Sequence, residues 1–244
     1  MTMKLQMIMA FSGFLAFALV LSCSNGGDGN DTVERGADTS GDSSARTADS
    51  VTWHIDNLES IGGHAVTVEG APRIVDAPGG KGLFFDGVDD GVFLDVHPLE
   101  GSTAFTLEVV FRPDADGPEA QRFFHLQEDG GDNRILVETR VTPEGWYLDT
   151  FILSGETDQT LVEPMNLHPC GEWYNATLVF DGREMRHYVN GTLELSAVLP
   201  SFTPPQAGRT SIGVRINRVY WFKGTISRAR FTRHALEPSE FMQL

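Results

Sequence analysis

The chain has 244 residues, 41% of them hydrophobic and 21% charged, and a formal net charge of −16 at pH 7. This composition is typical of a globular protein with a substantial core and argues against a disordered chain. Because no cluster of Lys or Arg offsets the acidic charge, the sequence also argues against nucleic acid and anionic bilayer surfaces as partners.

The first 22 residues are predicted to be a lipoprotein signal peptide. Residues 7–21 form an almost unbroken apolar run, as long as a signal-peptide core and shorter than the roughly 20 apolar residues of a membrane-spanning helix. The run ends in VLSC at residues 20–23, which resembles a bacterial lipobox. The resemblance implies cleavage before Cys23 and lipidation of its thiol. An ordinary cleaved signal with a chance cysteine is the alternative.

Residues 23–50 are predicted to be the lipidated cysteine and a flexible acidic linker. Gly, Ser, Thr and Asp dominate the stretch, so it cannot bury enough apolar surface to offset the entropy of ordering. With Cys23 lipidated, Cys170 would have no disulfide partner and is predicted to be a buried apolar residue or a free thiol. We therefore expect the protein in the bacterial cell envelope, outside the cytoplasm, held to the membrane only by its lipid. In a Gram-negative cell this would be the outer membrane.

Residues 51–244 are predicted to form one all-β domain. Short apolar and β-branched runs alternate with turn residues, and almost no helical period is present, which favours a sandwich or barrel. Apolar residues at every second position of 105–111 predict a strand with one buried face. Strands are predicted at residues 51–55, 65–68, 73–76, 83–86, 92–96, 105–111, 123–127, 134–140, 146–154, 174–180, 184–189, 192–195, 210–217 and 222–232, with one helical turn at 237–242.

Two strong turn signals lie close together in the second half of the domain. Asp181-Gly182 and Asn190-Gly191 accept positive φ angles at low cost and favour tight hairpins. They separate three of the predicted strands, 174–180, 184–189 and 192–195. The sequence therefore predicts an antiparallel meander here.

Four stretches in this domain resemble one family. WYNATLVFDGREMRHYVNG at 173–191 is similar to the core of laminin-G-like domains, within the concanavalin A-like jelly-roll superfamily. GLFFDGVDDGVFL at 82–94, FTLEVVFRP at 105–113 and WFKGTISRARFTRHALEPSEF at 221–241 match the same family in the expected order. The resemblance implies an all-β, two-sheet antiparallel jelly-roll sandwich. It does not imply one function, because this fold carries many activities.

Strand alternation predicts one polar sheet face. In jelly-roll lectins, glucanases and lyases the concave sheet face receives the glycan, so the resemblance implies a carbohydrate site there. Several arginines favour an anionic glycan such as a uronate or a sulfated sugar. A solvated outer face is the alternative interpretation. The candidate ligand-binding residues are His125, Gln127, Glu138, Arg140, Tyr147, Asp149, Arg186, Tyr188, Arg215 and Asn217.

The functional prediction is a lipid-anchored binding module for a glycan or a surface protein. No catalytic residue is assigned, because the E-x-D-x-x-E pattern of related glucanases is absent. An alternative is a polysaccharide lyase or glycoside hydrolase that uses Arg140, His125, Tyr147 and Glu138. A second alternative is a structural or protein-interaction surface lipoprotein.

Calcium is the only cofactor that the sequence suggests. Laminin-G-like and pentraxin-like domains often bind Ca²⁺ on their loops, and the carboxylates that could do so here are Asp86, Asp89, Asp90 and Asp181. Because Asp86 and Asp181 both precede Gly, a turn-forming role explains them equally well. The histidines show no zinc-ligand spacing.

Overall fold

The structure is a computed structural model that describes residues 49–244. The predicted signal peptide, the lipidated Cys23 and almost all of the predicted linker lie outside the described residues. Within residues 49–244 no helix has the length and apolar character needed to cross a membrane.

The described residues form seventeen strands and one short 3₁₀ turn, Pro238–Glu240. The strands are β1 (Ser50–His54), β2 (Ser60–Ile61), β3 (His64–Ala65), β4 (Thr67–Glu69), β5 (Arg73–Ala77), β6 (Gly80–Asp86), β7 (Gly91–Leu94), β8 (Phe105–Pro113), β9 (Ala120–Glu128), β10 (Arg134–Thr142), β11 (Gly145–Ser154), β12 (Thr157–Val162), β13 (Tyr174–Phe180), β14 (Glu184–Val189), β15 (Thr192–Val198), β16 (Gly208–Ile212) and β17 (Lys223–Thr232).

Two antiparallel sheets carry almost all of these strands. The first sheet has the order β15-β14-β13-β8-β17-β6-β5, and β1 pairs with the end of β17. The second sheet has the order β12-β11-β10-β9-β16-β7-β4. The small β2–β3 hairpin stands apart from both. The predicted two-sheet antiparallel architecture is confirmed, including the β13–β14–β15 meander.

The core lies between the two sheets and is rich in aromatic rings. Phe111 of β8 stacks on Phe123 of β9 at 4.4 Å between ring centroids and meets Trp146 of β11 edge-on at 5.1 Å. All three side chains are fully buried. Burial of such large apolar surfaces is the main term that holds the sheets together.

The outer face of β8 is also buried, which corrects the prediction of a strand with one buried face. Residues 233–244 pass over this side of the first sheet, where Leu236 and Phe241 pack against Val179 and Tyr188. Beneath them lies Glu108, which has no exposed surface. Its carboxylate accepts a hydrogen bond from the Met242 amide at 2.6 Å and pairs with Arg230. The C-terminal segment thus covers one outer face of the sandwich.

Several elements differ from the predictions, and three of the differences have a clear physical reason or change the type of element. The predicted strand at 210–217 ends at Ile212, because Gly213 adopts a φ of 82° and turns the chain out of the sheet. The edge strand β12 was not predicted, since most of its residues are at least partly exposed and polar. The predicted helical turn at 237–242 is shorter and has 3₁₀ geometry.

Candidate functional site

The outer face of the second sheet carries aligned rows of side chains. Phe124 and Leu126 of β9 point into the core, so His125 between them points to the opposite face. Pairing across the sheet sets Ser211, His125, Leu136, Phe151 and Thr160 in one row. The next row joins Arg122, Glu138 and Asp149. The predicted polar face is therefore present on this sheet.

A groove of about 240 Å³ opens on this face. Four guanidinium groups and two carboxylates meet in it, and we call it the arginine groove. Its walls are formed by Arg122, Arg134, Leu136, Glu138, Arg140, Asp149, Phe151, Thr160 and Arg215. Four cationic side chains against two acidic ones leave a positive excess in a protein whose net charge is −16.

Asp149 and Arg140 form the best-defined ion pair of the groove. Arg140 donates to Oδ2 of Asp149 from Nε at 2.9 Å and from Nη2 at 2.7 Å. Because the pair is partly buried and held by two charge-assisted hydrogen bonds, its geometry is well fixed. The Arg140–Asp149 ion pair therefore forms one wall of the groove, and its two charges are already paired with each other.

Glu138 is held less tightly than Asp149. Its Oε2 lies 3.1 Å from Nε of Arg122 and 3.7 Å from Nη2 of Arg140. Among residues 49–244, this oxygen nevertheless has no hydrogen bond of good geometry, although the residue is only 2% exposed. Burial, followed by the charge of Asp149, raises the pKa of Glu138 to about 7 against the opposing effect of the arginines.

Two of the arginines pack against aromatic rings. The guanidinium carbon of Arg122 lies 3.7 Å from the ring centre of Tyr220, and that of Arg134 lies 4.9 Å from Phe151. Such cation–π contacts orient the guanidinium plane without using its N–H groups. Nε and Nη1 of Arg122 are buried and have no hydrogen-bond partner among the described residues. Arg122 is therefore the groove arginine with the most buried donors left without a partner among residues 49–244.

The loop of residues 213–222 closes one side of the groove. Hydrogen bonds from the Gly213 amide to the Phe123 carbonyl at 2.9 Å, and from the Arg122 amide to the Tyr220 carbonyl at 2.9 Å, fix the loop to β9. Arg218 and Tyr220 adopt positive φ angles of 62° and 63°, which are costly for residues other than glycine. The loop therefore has one defined shape, which brings Arg215 to the groove.

His125 supports this loop from beneath. Its Nδ1 accepts a hydrogen bond from the Ile216 amide at 3.1 Å, so the neutral ring carries its proton on Nε2. Burial, followed by the charge of Arg215, lowers the pKa of His125 to about 3. The imidazole is therefore neutral at physiological pH and a very weak base. This weakens the role in catalysis that the lyase alternative gives to it.

The remaining predicted site residues divide into two groups. Gln127 and Tyr147 lie on the groove side of the second sheet, directly opposite the wall residues Arg134 and Arg140, but do not line the groove. Asn217 is exposed in the loop. Arg186 and Tyr188 lie on β14 of the first sheet, so the prediction that they share this face is wrong. Arg186 pairs there with Asp181 and Glu184. Tyr188 packs beneath the C-terminal segment.

Two arginines of the groove, Arg122 and Arg134, were missing from the predicted site, as was Tyr220, whose ring contacts Arg122. Arg134 shares the alternation of Glu138 and Arg140, and could have been found from that pattern. Arg122 reaches the groove because of an irregularity between β9 and β10, opposite Val137 and Glu138. Tyr220 belongs to a loop whose shape the sequence does not specify.

The predicted calcium residues do not form one set. The carboxylate oxygens of Asp86, Asp89 and Asp90 lie within 4.8 Å of one another, whereas Asp181 is in the β13–β14 turn. Both oxygens of Asp90 accept backbone N–H groups, from Ala71 at 2.6 Å and from Asp86 at 2.9 Å. Asp86 caps its own turn in the same way. Because three of the six carboxylate oxygens already hold the turn, the cluster fits calcium poorly, and calcium binding stays a prediction.

Two antiparallel sheets packed face to face, with a groove on one outer face, define a jelly-roll type β-sandwich. The family model described as the concanavalin A-like lectin/glucanases superfamily matches residues 86–241. The chain belongs to this superfamily, as its laminin-G-like sequence stretches predicted. No curated protein matches the sequence.

Solved structures with the same fold include a sugar-binding domain and toxin domains. Domain 4 of AbnA, a GH43 extracellular arabinanase from Geobacillus stearothermophilus, was solved with arabinotriose; it is 19% identical, with a TM-score of 0.59 over 78% of this chain and 94% of that chain. The binding domain of Paraclostridial Mosquitocidal Protein 1 is 12% identical, with a TM-score of 0.59 over 79% of this chain and 51% of that chain. The botulinum neurotoxin serotype G binding domain is 11% identical, with a TM-score of 0.57 over 78% of this chain and 49% of that chain. This chain spans about half the length of the two toxin domains.

Proposed function

We propose that the protein is a carbohydrate-binding module, anchored by lipid to the bacterial cell envelope, and that the arginine groove holds an acidic glycan. The observation that carries this proposal is the excess of guanidinium groups in the groove, four against two carboxylates. Arginine pairs with a planar carboxylate through two parallel hydrogen bonds, and with sulfate oxygens in a related way. A uronate or sulfated sugar matches this donor set.

The aromatic residues of this face argue for the same kind of ligand. Neutral sugars are commonly held by stacking on an exposed ring, but Tyr220 and Phe151 each already have one ring face against a guanidinium, that of Arg122 or Arg134. We infer that charge, rather than stacking, selects the sugar.

Binding calorimetry with the full-length protein tests this proposal. The probes are a uronate oligomer and its methyl ester, which has the same shape but no charge. We expect Arg215→Ala to weaken uronate binding about 10-fold or more, since a charged hydrogen bond contributes roughly 1.5–3 kcal/mol. Arg209→Ala is the matched control, because Arg209 lies on β16 outside the groove in an exposed pair with Asp129. Equal affinity for the acid and the ester would contradict the proposal.

The anchor is proposed from the VLSC stretch at residues 20–23. Two or more acyl chains on Cys23 would hold the protein stably on a membrane, where a single chain would not. Mass spectrometry of the mature N-terminus is the direct measurement. We expect a first residue Cys23 with a diacylglyceryl mass, and transfer of the Cys23→Ser variant to the soluble fraction. A mature protein that begins downstream of Cys23, or that begins with an unmodified Cys23, would contradict an anchor.

A catalytic role has one observation in its favour. Glu138 and Asp149 are adjacent carboxyl groups, and the raised pKa of Glu138 is what a general acid of a glycosidase needs. Against this role, Asp149 is already engaged by Arg140, and His125 is a very weak base. Release of new reducing or unsaturated sugar ends during the calorimetric incubation would favour an enzyme over a binding module.

A further inference from the structure

Glu138 is buried in the floor of the arginine groove beside the donors that an acidic sugar would use. Its Oε2 lies 3.1 Å from Nε of Arg122, and no hydrogen bond to it is formed by any described residue. Arg122 in turn has two buried N–H groups without a partner among residues 49–244. An ionised Glu138 is therefore a loosely held counter-ion of Arg122. A ligand carboxylate would compete with it for the same guanidinium.

We propose that Glu138 is a specificity-determining residue of this groove: it takes up one proton when an acidic sugar binds and then donates a hydrogen bond to that sugar. This role rests on the proposed function. It explains how the groove accommodates the negative charge of the sugar beside the carboxyl group of Glu138. Two carboxylates that share one guanidinium in a buried site repel each other, so one of them is driven to protonate. Once protonated, Glu138 changes from an acceptor into a donor.

The charges around Glu138 decide which carboxyl group takes the proton. The charged groups that face it come from β9, β10, β11 and the loop after β16, and they are Arg122, Arg134, Arg140, Asp149 and Arg215. Asp149 is already held by two hydrogen bonds from Arg140, whereas Glu138 Oε2 has none among the described residues. Burial has already raised the pKa of Glu138 to about 7, so protonation of this group is close to balance near neutral pH. The sugar carboxylate stays ionised over the same range.

The sign of the pH dependence follows from this arrangement. Below the pKa of Glu138 in the free protein, the proton is already present and binding takes up none. Above that pKa, each unit of pH adds the work of protonating Glu138, so affinity falls by up to about tenfold per pH unit. Acidic sugars would thus be bound near pH 6 and released toward pH 8.5.

Calorimetric titration of the full-length protein with a uronate oligomer, from pH 5.5 to pH 8.5, tests the proposal. We expect the affinity of the natural protein to fall more than tenfold across this range, and Glu138→Gln to bind with the same affinity throughout. The amide of Gln keeps a donor and carries no charge, so it mimics the protonated acid. Titration at pH 7.5 in two buffers of different ionisation enthalpy should also reveal uptake of about three-quarters of a proton, since about a quarter of Glu138 is already protonated there in the free protein. This measurement uses only the natural protein.

Two distinct results separate this inference from the proposed function. Binding of the uronate with equal affinity at pH 5.5 and pH 8.5, and without proton uptake, would overturn the role of Glu138 and leave the glycan site standing. No binding at any pH, with the uronate oligomer and with a sulfated oligomer alike, would overturn the proposed function itself. A pH dependence that persists in Glu138→Gln would assign the proton to another group and would also overturn the inference.

Discussion

Gly213 shows how one residue controls the position of the groove loop. It adopts a φ of 82°, and a Cβ at this position would lie 2.2 Å from Cδ1 of Phe85 in the core. Only glycine combines this backbone conformation with such a close approach to a buried ring. Because Arg215 follows two residues later, the fit of Gly213 against Phe85 sets where its guanidinium can reach.

We therefore expect Gly213→Ala to lower the free energy of unfolding by about 3 kcal/mol, from backbone strain and a forced shift of the Phe85 ring. The matched control is Gly101→Ala. Gly101 has a similar φ of 76° but nothing within 4 Å of the added Cβ, so only the cost of the left-handed backbone, roughly 1 kcal/mol, applies. Urea denaturation monitored by tryptophan fluorescence measures both. Equal losses in the two variants would show that the contact with Phe85 is unimportant.

The strand β9 explains why part of the site could not be predicted. Simple alternation assigns Arg122 to the same side as Phe124, which is the core. In the structure the pairing with β10 shifts between Val137 and Glu138, and the adjacent Phe123 and Phe124 both enter the core. This β-bulge moves Arg122 to the outer face. Two neighbouring buried phenylalanines are the only trace of it in the sequence.

Features set by neighbouring residues were predicted well at the scale of the elements. The Asp-Gly and Asn-Gly turns correctly predicted the β13–β14–β15 meander. The alternation of side chains along the strands correctly predicted that Glu138, Arg140 and Asp149 share one face. Alternation cannot tell which sheet a strand joins, so Arg186 was placed on the wrong sheet. The shape of the 213–222 loop depends on contacts with distant strands, and sequence periodicity carries no information about them.

At the scale of the whole molecule, the two outer faces of the sandwich differ. Residues 233–244 pack over the first sheet and cover its buried polar residues Glu108 and Asn175, whereas the arginine groove lies open on the second sheet. The groove concentrates positive charge on a chain whose net charge is −16. The surrounding acidic surface would repel anions in general, so binding of an acidic sugar must come from close contacts rather than from long-range attraction.

Amide chemical-shift mapping of the full-length protein with a uronate oligomer at pH 6 is the most direct test that the ligand lies in the arginine groove. We predict that the largest shifts fall on strands β9 to β12 and on the loop of residues 213–222. Shifts that centre instead on β13 to β15 and residues 233–244, or on the turn at Asp86–Asp90, would contradict the account.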